Sequence, residues 1–159
     1  MSIFPNKFFE PMDKRPPLPP FTYTTALKKV SMLEEDWNMG CARRLVFAYS
    51  KESRWHVGGR VIAGRHAIGD YLASSMSSYS NVKMKKYLSA FISSKIVVTF
   101  DLQYQDIFGK WQHTSGSEIL EYDPAGHISR QVTTILKNEP GHCKLSGCTS
   151  QNFGQILGN

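Results

Sequence analysis

The chain has 159 residues, 41% of them hydrophobic and 12% aromatic, with a formal net charge of +6. That length suits one domain with a real core, and the composition excludes a disordered chain. The charge raises nucleic acid or an anionic membrane as a partner, but Lys and Arg are scattered. Their densest group (Lys83, Lys85, Lys86) has no interleaved aromatics, so a solvated basic face is expected.

In chain order, Met1 to Phe21 is rich in proline (Pro5, Pro11, Pro16, Pro17, Pro19, Pro20) with scattered Phe. Prolines at this density favour extended chain, so residues 1–21 read as an arm draped over the domain or left mobile, with Phe4, Phe8 and Phe9 offered to a partner. Thr22, Thr24 or Thr25 is placed to cap a helix in which Ala26, Leu27, Val30, Leu33 and Trp37 recur at helical spacing, and Gly40 stops it. A second, shorter helix starts at Cys41 or Ala42 and carries Leu45, Val46 and Tyr49 on one face. Ser53 to Val57 and Arg60 to Ile62 are strand-like runs joined by Gly58-Gly59, a hairpin signal. Gly64-Arg65-His66-Ala67-Ile68 leads into a third helix with Ile68, Tyr71, Leu72 and Met76 on its apolar face.

Four strands follow. Asn81 to Ile92 is long and imperfect, with Val82, Met84, Leu88, Ala90 and Ile92 as its apolar set. From Val98, even positions (Val98, Phe100, Leu102, Tyr104) alternate with polar odd ones (Thr99, Asp101, Gln103, Gln105), the period of a half-buried strand. Asp106 to Lys110 is a turn, Trp111 to Tyr122 runs back, and Asp123-Pro124-Ala125-Gly126 turns again. His127 to Leu136 closes the set with Ile128, Val132 and Leu136 on even positions. A hairpin pairing Tyr122 with Ile128 is expected, with Glu118 opposite Arg130 on the face that carries Leu120 and Val132. Residues 141–159 lack periodicity and read as a tail. Both ends, Met1 to Pro17 and Lys144 to Asn159, are expected to be dispensable.

Helices first and antiparallel strands after predict an α+β domain over residues 22–140, with the three helices on one face of a curved sheet. Apolar residues at odd positions (Val97, Trp111, Ile119, Ile135) predict a homodimer through the sheet's outer face. Three cysteines, Cys41, Cys143 and Cys148, fit a reduced compartment rather than a disulfide framework. His142, Cys143 and Cys148 lack a second ligand pair, so no metal site is expected. No apolar run reaches membrane-spanning length and no leader pattern is present, so a cytoplasmic protein is expected.

Several motifs occur together. Glu35-Asp36-Trp37-Asn38 ends the first helix, Tyr49 ends the second, Ser53-Arg54-Trp55 follows, and Gly64-Arg65-His66-Ala67-Ile68 opens the third. Trp111 and Gly116-Ser117-Glu118 come later. In this order and spacing they resemble the SnoaL-like, nuclear transport factor 2-like superfamily over Thr22 to Glu139. The resemblance is to a branch with Ser-Arg-Trp after the second helix and Gly-Arg-Glu-Ala-Ile opening the third. It implies a cone-shaped antiparallel sheet around an internal pocket, closed by three helices and often paired as a homodimer. Relatives on that fold include ketosteroid isomerase, scytalone dehydratase, limonene epoxide hydrolase and polyketide cyclases, and also non-catalytic transport and assembly proteins. The chain departs from the branch where an Asn-Glu-Asn-Trp run surrounds the position of Glu118, where Arg stands in place of His113, and where a string of Arg is reduced to Arg130. That implies a more apolar, less basic pocket.

Glu118 is then the first candidate acid–base group: burial raises a carboxyl pKa and a nearby Arg lowers it, a tension suited to proton transfer near neutrality. The alternative is a structural Glu118–Arg130 pair fastening two strands. Arg130 and Tyr104 are candidates to steady a substrate oxygen. Trp37, Tyr49, Trp55, Phe100 and Leu120 are candidates to wall a substrate site, and His56, His113 and Asp36 are lesser catalytic candidates. No nucleophilic triad, phosphate loop or metal cluster is legible, so cofactor-free chemistry is expected. The implied function is an isomerase, cyclase or dehydratase of an apolar oxygenated small molecule, in specialised-metabolite biosynthesis. The alternative is a homodimeric binding module for a small molecule or protein, with neither nucleic acid nor membrane as partner.

Overall fold

The computed structural model describes residues 14–141. Expectations for Phe4, Phe8, Phe9, His142, Cys143, Cys148 and the rest of the two ends lie outside the described residues.

The first helix, α1, spans Tyr23–Asn38 and starts on a capping box. Thr25 N–H donates to Thr22 Oγ1 at 3.2 Å, and Thr22 N–H donates to Thr25 Oγ1 at 2.8 Å. It buries Ala26, Val30 and Leu33 at helical spacing, but also Lys29 and Asp36. The second helix is shorter than its pattern suggested. α2 covers Ala42–Leu45, a 3-10 turn covers Val46–Ala48, and Tyr49 opens a strand, β1 (Tyr49–Val57). Tyr49 leaves the helix because its backbone pairs with Ile128 and its buried hydroxyl reaches Gln131. β2 (Arg60–Ala63), α3 (Arg65–Ser77), β3 (Ser80–Ile92), β4 (Lys95–Gln105), β5 (Trp111–Tyr122) and β6 (Ile128–Pro140) follow.

The strands form one curved, open six-stranded sheet in the order β2-β1-β6-β5-β4-β3. The early hairpin therefore joins the main sheet, through a parallel β1–β6 pairing. This is the expected α+β cone, with helices over the concave face. A main core gathers Val30 and Leu33 of α1, Ile68 and Leu72 of α3, and Ile96, Val98, Leu120 and Ile128 of the sheet. A smaller cluster of Met84, Phe100 and Leu102 lies further along the sheet, and Trp37 packs against both. The exposed edge of β3 is partly covered by α1, whose side chains pair with its backbone as a further strand would. Asn38 bonds both Met84 N–H and Met84 C=O, and Glu34 accepts from Lys86 N–H. No helix among the described residues is long and apolar enough to cross a membrane.

On β4 and β5 the even positions face the core as expected: Ile96, Val98, Phe100 and Leu102 are buried, as are Glu118, Leu120 and Tyr122. β6 does not keep that parity. Tyr122 pairs with Ile128, but Glu121 pairs with Arg130, so Ser129 is an extra residue. Such a bulge turns the side chains that follow to the other face, here as far as Ile135, because Leu136 is a second extra residue between the Gly116–Ile135 and Ser115–Lys137 pairs. Gln131 and Thr133 are buried, whereas Arg130 is exposed on the outer face and Leu136 is 68% exposed. Glu118 therefore stands opposite Thr133, not Arg130.

Residues 14–21 pack on this frame. Arg15 N–H donates to Ala125 C=O at 2.7 Å, its guanidinium meets Asp36 at 2.8 Å, and Phe21 is buried edge-on to Tyr122. Gly126 has φ +86, and a Cβ there would collide with the backbone of Arg15. Buried Lys29 ties the layers together: its Nζ donates to Gly126 C=O at 2.7 Å and to Arg15 C=O, and stands 5.0 Å from the centre of the Tyr122 ring. Cutting the chain back to Pro17 would remove Arg15 and these contacts, so that truncation is expected to lower the melting temperature, contrary to the expectation from sequence.

Burial, the largest cause, and then Arg15 hold the Lys29 ammonium down to about 8, against a raising influence from Asp123. Between pH 8 and the unfolded value of 10.5 the unfolded chain holds the proton that the folded one has lost. Stability should therefore rise with pH across that window. Denaturant unfolding of Lys29→Met should lack this rise; an unchanged profile would show that Lys29 is not the group responsible.

Candidate functional site

The concave face of β3 reads Val82, Met84, Lys86, Leu88, and that of β5 reads Gly116, Glu118, Leu120, Tyr122. Each series is interrupted by one charge. Lys86 Nζ donates to Glu118 Oε2 at 2.9 Å, with side-chain exposures of 1% and 6%. The ammonium also lies 5.4 Å from the centre of the Phe100 ring. Gly116, next to Glu118 along the inward face of β5, leaves room for that ring: a Cβ there would stand 2.9 Å from it. The cation beside Glu118 is therefore Lys86, not Arg130, and Lys86 is not part of a solvated basic face. Arg130 points the other way, 3.5 Å from Glu121 and 46% exposed.

Beside the ion pair runs a hydrogen-bonded chain of neutral groups. Tyr49 O–H donates to Gln131 Oε1 at 2.7 Å. The Gln131 amide donates to Thr133 Oγ1 at 3.2 Å, and Trp55 Nε1–H donates to the same oxygen at 2.8 Å. Thr133 is the cross-strand partner of Glu118, so chain and ion pair adjoin on the sheet. Burial pushes the Tyr49 phenol well up, and the charge of Glu118 adds to it. Burial likewise pushes the Tyr122 phenol up, opposed by Arg15 and aided by Glu118. The Tyr122 hydroxyl is buried without a hydrogen-bond partner among the described residues, as is Ser53 Oγ. A buried donor left unpaired costs free energy, and in a native protein it invites a functional explanation.

The remaining candidates fall into two groups. Trp37, Tyr49, Trp55, Phe100 and Leu120 all belong to the core clusters on the concave side, and Tyr49 and Trp55 stack at 6.1 Å. Tyr104 lies on that side too, packed on Tyr79 at 3.9 Å. It is six residues along the ladder from Val98, the β4 partner of Glu118, or roughly 20 Å away. His113 and His56 are on the outer face: His113 Nε2 is 3.1 Å from Asp101 Oδ1, and His56 pairs with Val61 and Val132. The buried Asp36 carboxylate is taken up by Arg15 at 2.8 Å and Arg44 at 2.7 Å. It joins arm, α1 and α2 rather than facing the Glu118 pair. Lys86, Tyr122, Gln131 and Thr133 were not singled out from the sequence. Lys86 had a signal, a lysine where the alternation requires an apolar side chain. Gln131 and Thr133 had none, because the bulge hides their parity.

The ion pair has a thermodynamic signature. Removing one partner leaves the other charge buried alone, so Lys86→Met should destabilise by about 3–5 kcal/mol. Pairing Lys86→Met with Glu118→Leu should restore most of that loss in urea melts. A single variant as stable as the parent would show that the pair is solvated.

A family profile described as "Protein of unknown function (DUF1348)" matches residues 19–139. Among curated proteins nothing matches the sequence significantly. Among solved structures, the chain is similar to SalBIII, an epoxide hydrolase/cyclase-like enzyme with a role in pyran ring formation in the polyether salinomycin. That match has a TM-score of 0.63 and 18% identity, covering 70% of this chain and 91% of SalBIII. It is also similar to an NTF2-like protein of unknown function from Exiguobacterium sp. 255-15. There the TM-score is 0.57 and the identity 12%, covering 70% of this chain and 98% of the other. At these identities the likeness establishes the fold alone. That fold is the SnoaL-like, nuclear transport factor 2-like one, and the chain belongs to the family described as "Protein of unknown function (DUF1348)".

Proposed function

We propose that the chain is a cofactor-free isomerase, cyclase or dehydratase that moves a proton on an apolar, oxygen-bearing small molecule, as in specialised-metabolite biosynthesis. One observation carries the reading: a carboxylate and an ammonium in contact inside an aromatic concave face, with a phenol four residues along the same strand that feels the Glu118 charge and whose hydroxyl has no partner among the described residues. Glu118 takes a proton from a carbon next to a carbonyl, and the C–H electron pair moves into an enolate. Tyr122 donates its free O–H to the enolate oxygen, the role expected from the sequence of Arg130 and Tyr104. Lys86 holds the Glu118 carboxylate in place and stays near the negative charge as it passes to the substrate. Returning the proton to another carbon gives an isomer, and expelling a hydroxide as water, with that proton, gives a dehydration. Trp55, Phe100 and Leu120 supply the apolar surroundings in which such charges interact strongly. The fold it shares with an epoxide hydrolase/cyclase-like enzyme supports the cyclase alternative within this class.

The test is deuterium exchange of the α-hydrogens of an apolar enone in heavy water, followed by NMR. Exchange should be catalysed by the parent and should fall about a hundredfold or more in Glu118→Gln. Because that variant also strands Lys86, Tyr122→Phe is the companion. It removes an unpaired buried hydroxyl, so stability should hold or rise by up to about 1 kcal/mol while exchange falls. Saturable binding of enones with no exchange would favour the second reading, a binding module on the same fold. The observation behind that alternative is that Glu118 and Lys86 already satisfy each other at 2.9 Å.

The homodimer belongs to the same proposal. Val97 and Ile119 pair side by side on the outer face, Ile119 being 41% exposed, and Trp111 is half-buried on the same strand. Ile135 does not join them, because it shares a rung with Gly116 on the concave side. Sedimentation at micromolar concentration should give a dimer that Ile119→Lys dissociates; a monomeric parent would refute the interface.

A further inference from the structure

Away from Glu118, a groove of about 740 Å³ opens between α2, β1 and α3. Its floor is small and apolar, with Val46 and Ala73 among its side chains, and its walls carry Arg43, Lys51, Arg65 and His66. The Arg43 and Lys51 side chains have no hydrogen bond or ion pair among the described residues. Arg65 Nε–H donates to Tyr49 C=O at 2.8 Å, which fixes the guanidinium and leaves its two terminal amino groups unused. Burial lowers the pKa of Arg65, with Asp123 acting on it in the opposite sense, so this cation is partly desolvated without a carboxylate in contact. Asp70 is the carboxylate among the lining residues, 3.6 Å from His66, and both side chains are largely exposed. One carboxylate among Arg43, Lys51 and Arg65 leaves the groove cationic.

We infer that this groove is a binding site for a phosphate monoester carried on a small apolar body. Two guanidinium groups and an ammonium around one space suit a dianion, and a guanidinium matches phosphate oxygens two at a time. The apolar floor takes the ester's body. Its lining has no aromatic side chain on which a nucleic-acid base could stack, and that argues against a single strand.

The probe is phenyl phosphate, titrated into the full chain at low salt and followed by calorimetry. A parallel arm uses phosphatidylcholine vesicles with and without phosphatidic acid, which carries the same group as a lipid headgroup. The diagnostic variant is Arg43→Gln with Lys51→Gln, two side chains without partners whose loss should leave the melt unchanged. Its charge-matched control is Lys110→Gln with Lys137→Gln. Saturable phenyl phosphate binding, weakened at least about tenfold in the first variant and kept in the control, supports the site with a soluble ligand. Binding only to phosphatidic acid vesicles, lost in the first variant alone, supports it with the headgroup as source. Binding in neither arm, or equal loss in both variants, overturns the inference.

Discussion

The contact between Lys86 and Glu118 is the interaction around which the concave face is arranged. Two opposite charges taken out of water cost several kcal/mol each, and their attraction offsets this only when contact is close and the surroundings are ordered. Both conditions are visible here: the 2.9 Å contact, the Phe100 ring near the ammonium, and the Gly116 gap that lets the ring lie there. An apolar pair of similar volume would hold β3 against β5 as well. Stability alone therefore does not account for the charged pair, and the Tyr122 hydroxyl on the same strand has no hydrogen-bond partner among the described residues.

The single extra residue at Ser129 decides which neutral groups keep that pair company. With regular alternation, Arg130 and Val132 would face inward and Glu118 would have a guanidinium across the ladder. The bulge instead brings in Gln131 and Thr133, which link Tyr49 and Trp55 in a hydrogen-bonded row. Strand periodicity therefore made the fold and most of the concave face legible: Phe100, Leu120 and Glu118 lie where a period of two puts them, and Trp37 where helical spacing does. The partner of Glu118 was not legible in β6, because a bulge leaves no mark in hydrophobic alternation when the strand is half polar. It was legible in β3, where a lysine occupies an inward position, but a neighbouring cluster of lysines invited a reading by charge alone.

The end of α2 and the N-terminal arm show a related limit. Tyr49 continues the helical stripe of Leu45 and Val46, yet its pairing with β6 prevails over local propensity. The prolines before Phe21 suggested extended chain; residues 16–17 and 19–20 bend instead, and whether such a chain packs depends on distant residues. Here Lys29, Asp36 and Gly126, far apart in sequence, receive Arg15. The arm thus braces the turn after Tyr122, and through it the strand that carries Glu118.

The central claim is that a ligand oxygen is meant to meet Tyr122 with its acidic carbon beside Glu118. A crystal structure of the protein soaked with cyclohex-2-enone tests this most directly. The account predicts the probe inside the concave face, its oxygen accepting from Tyr122 Oη and its α-carbon next to the Glu118 carboxylate, with Lys86 still in contact with Glu118. A probe bound only outside that face, with an ordered water accepting from Tyr122 and the core closed around it, would contradict the account.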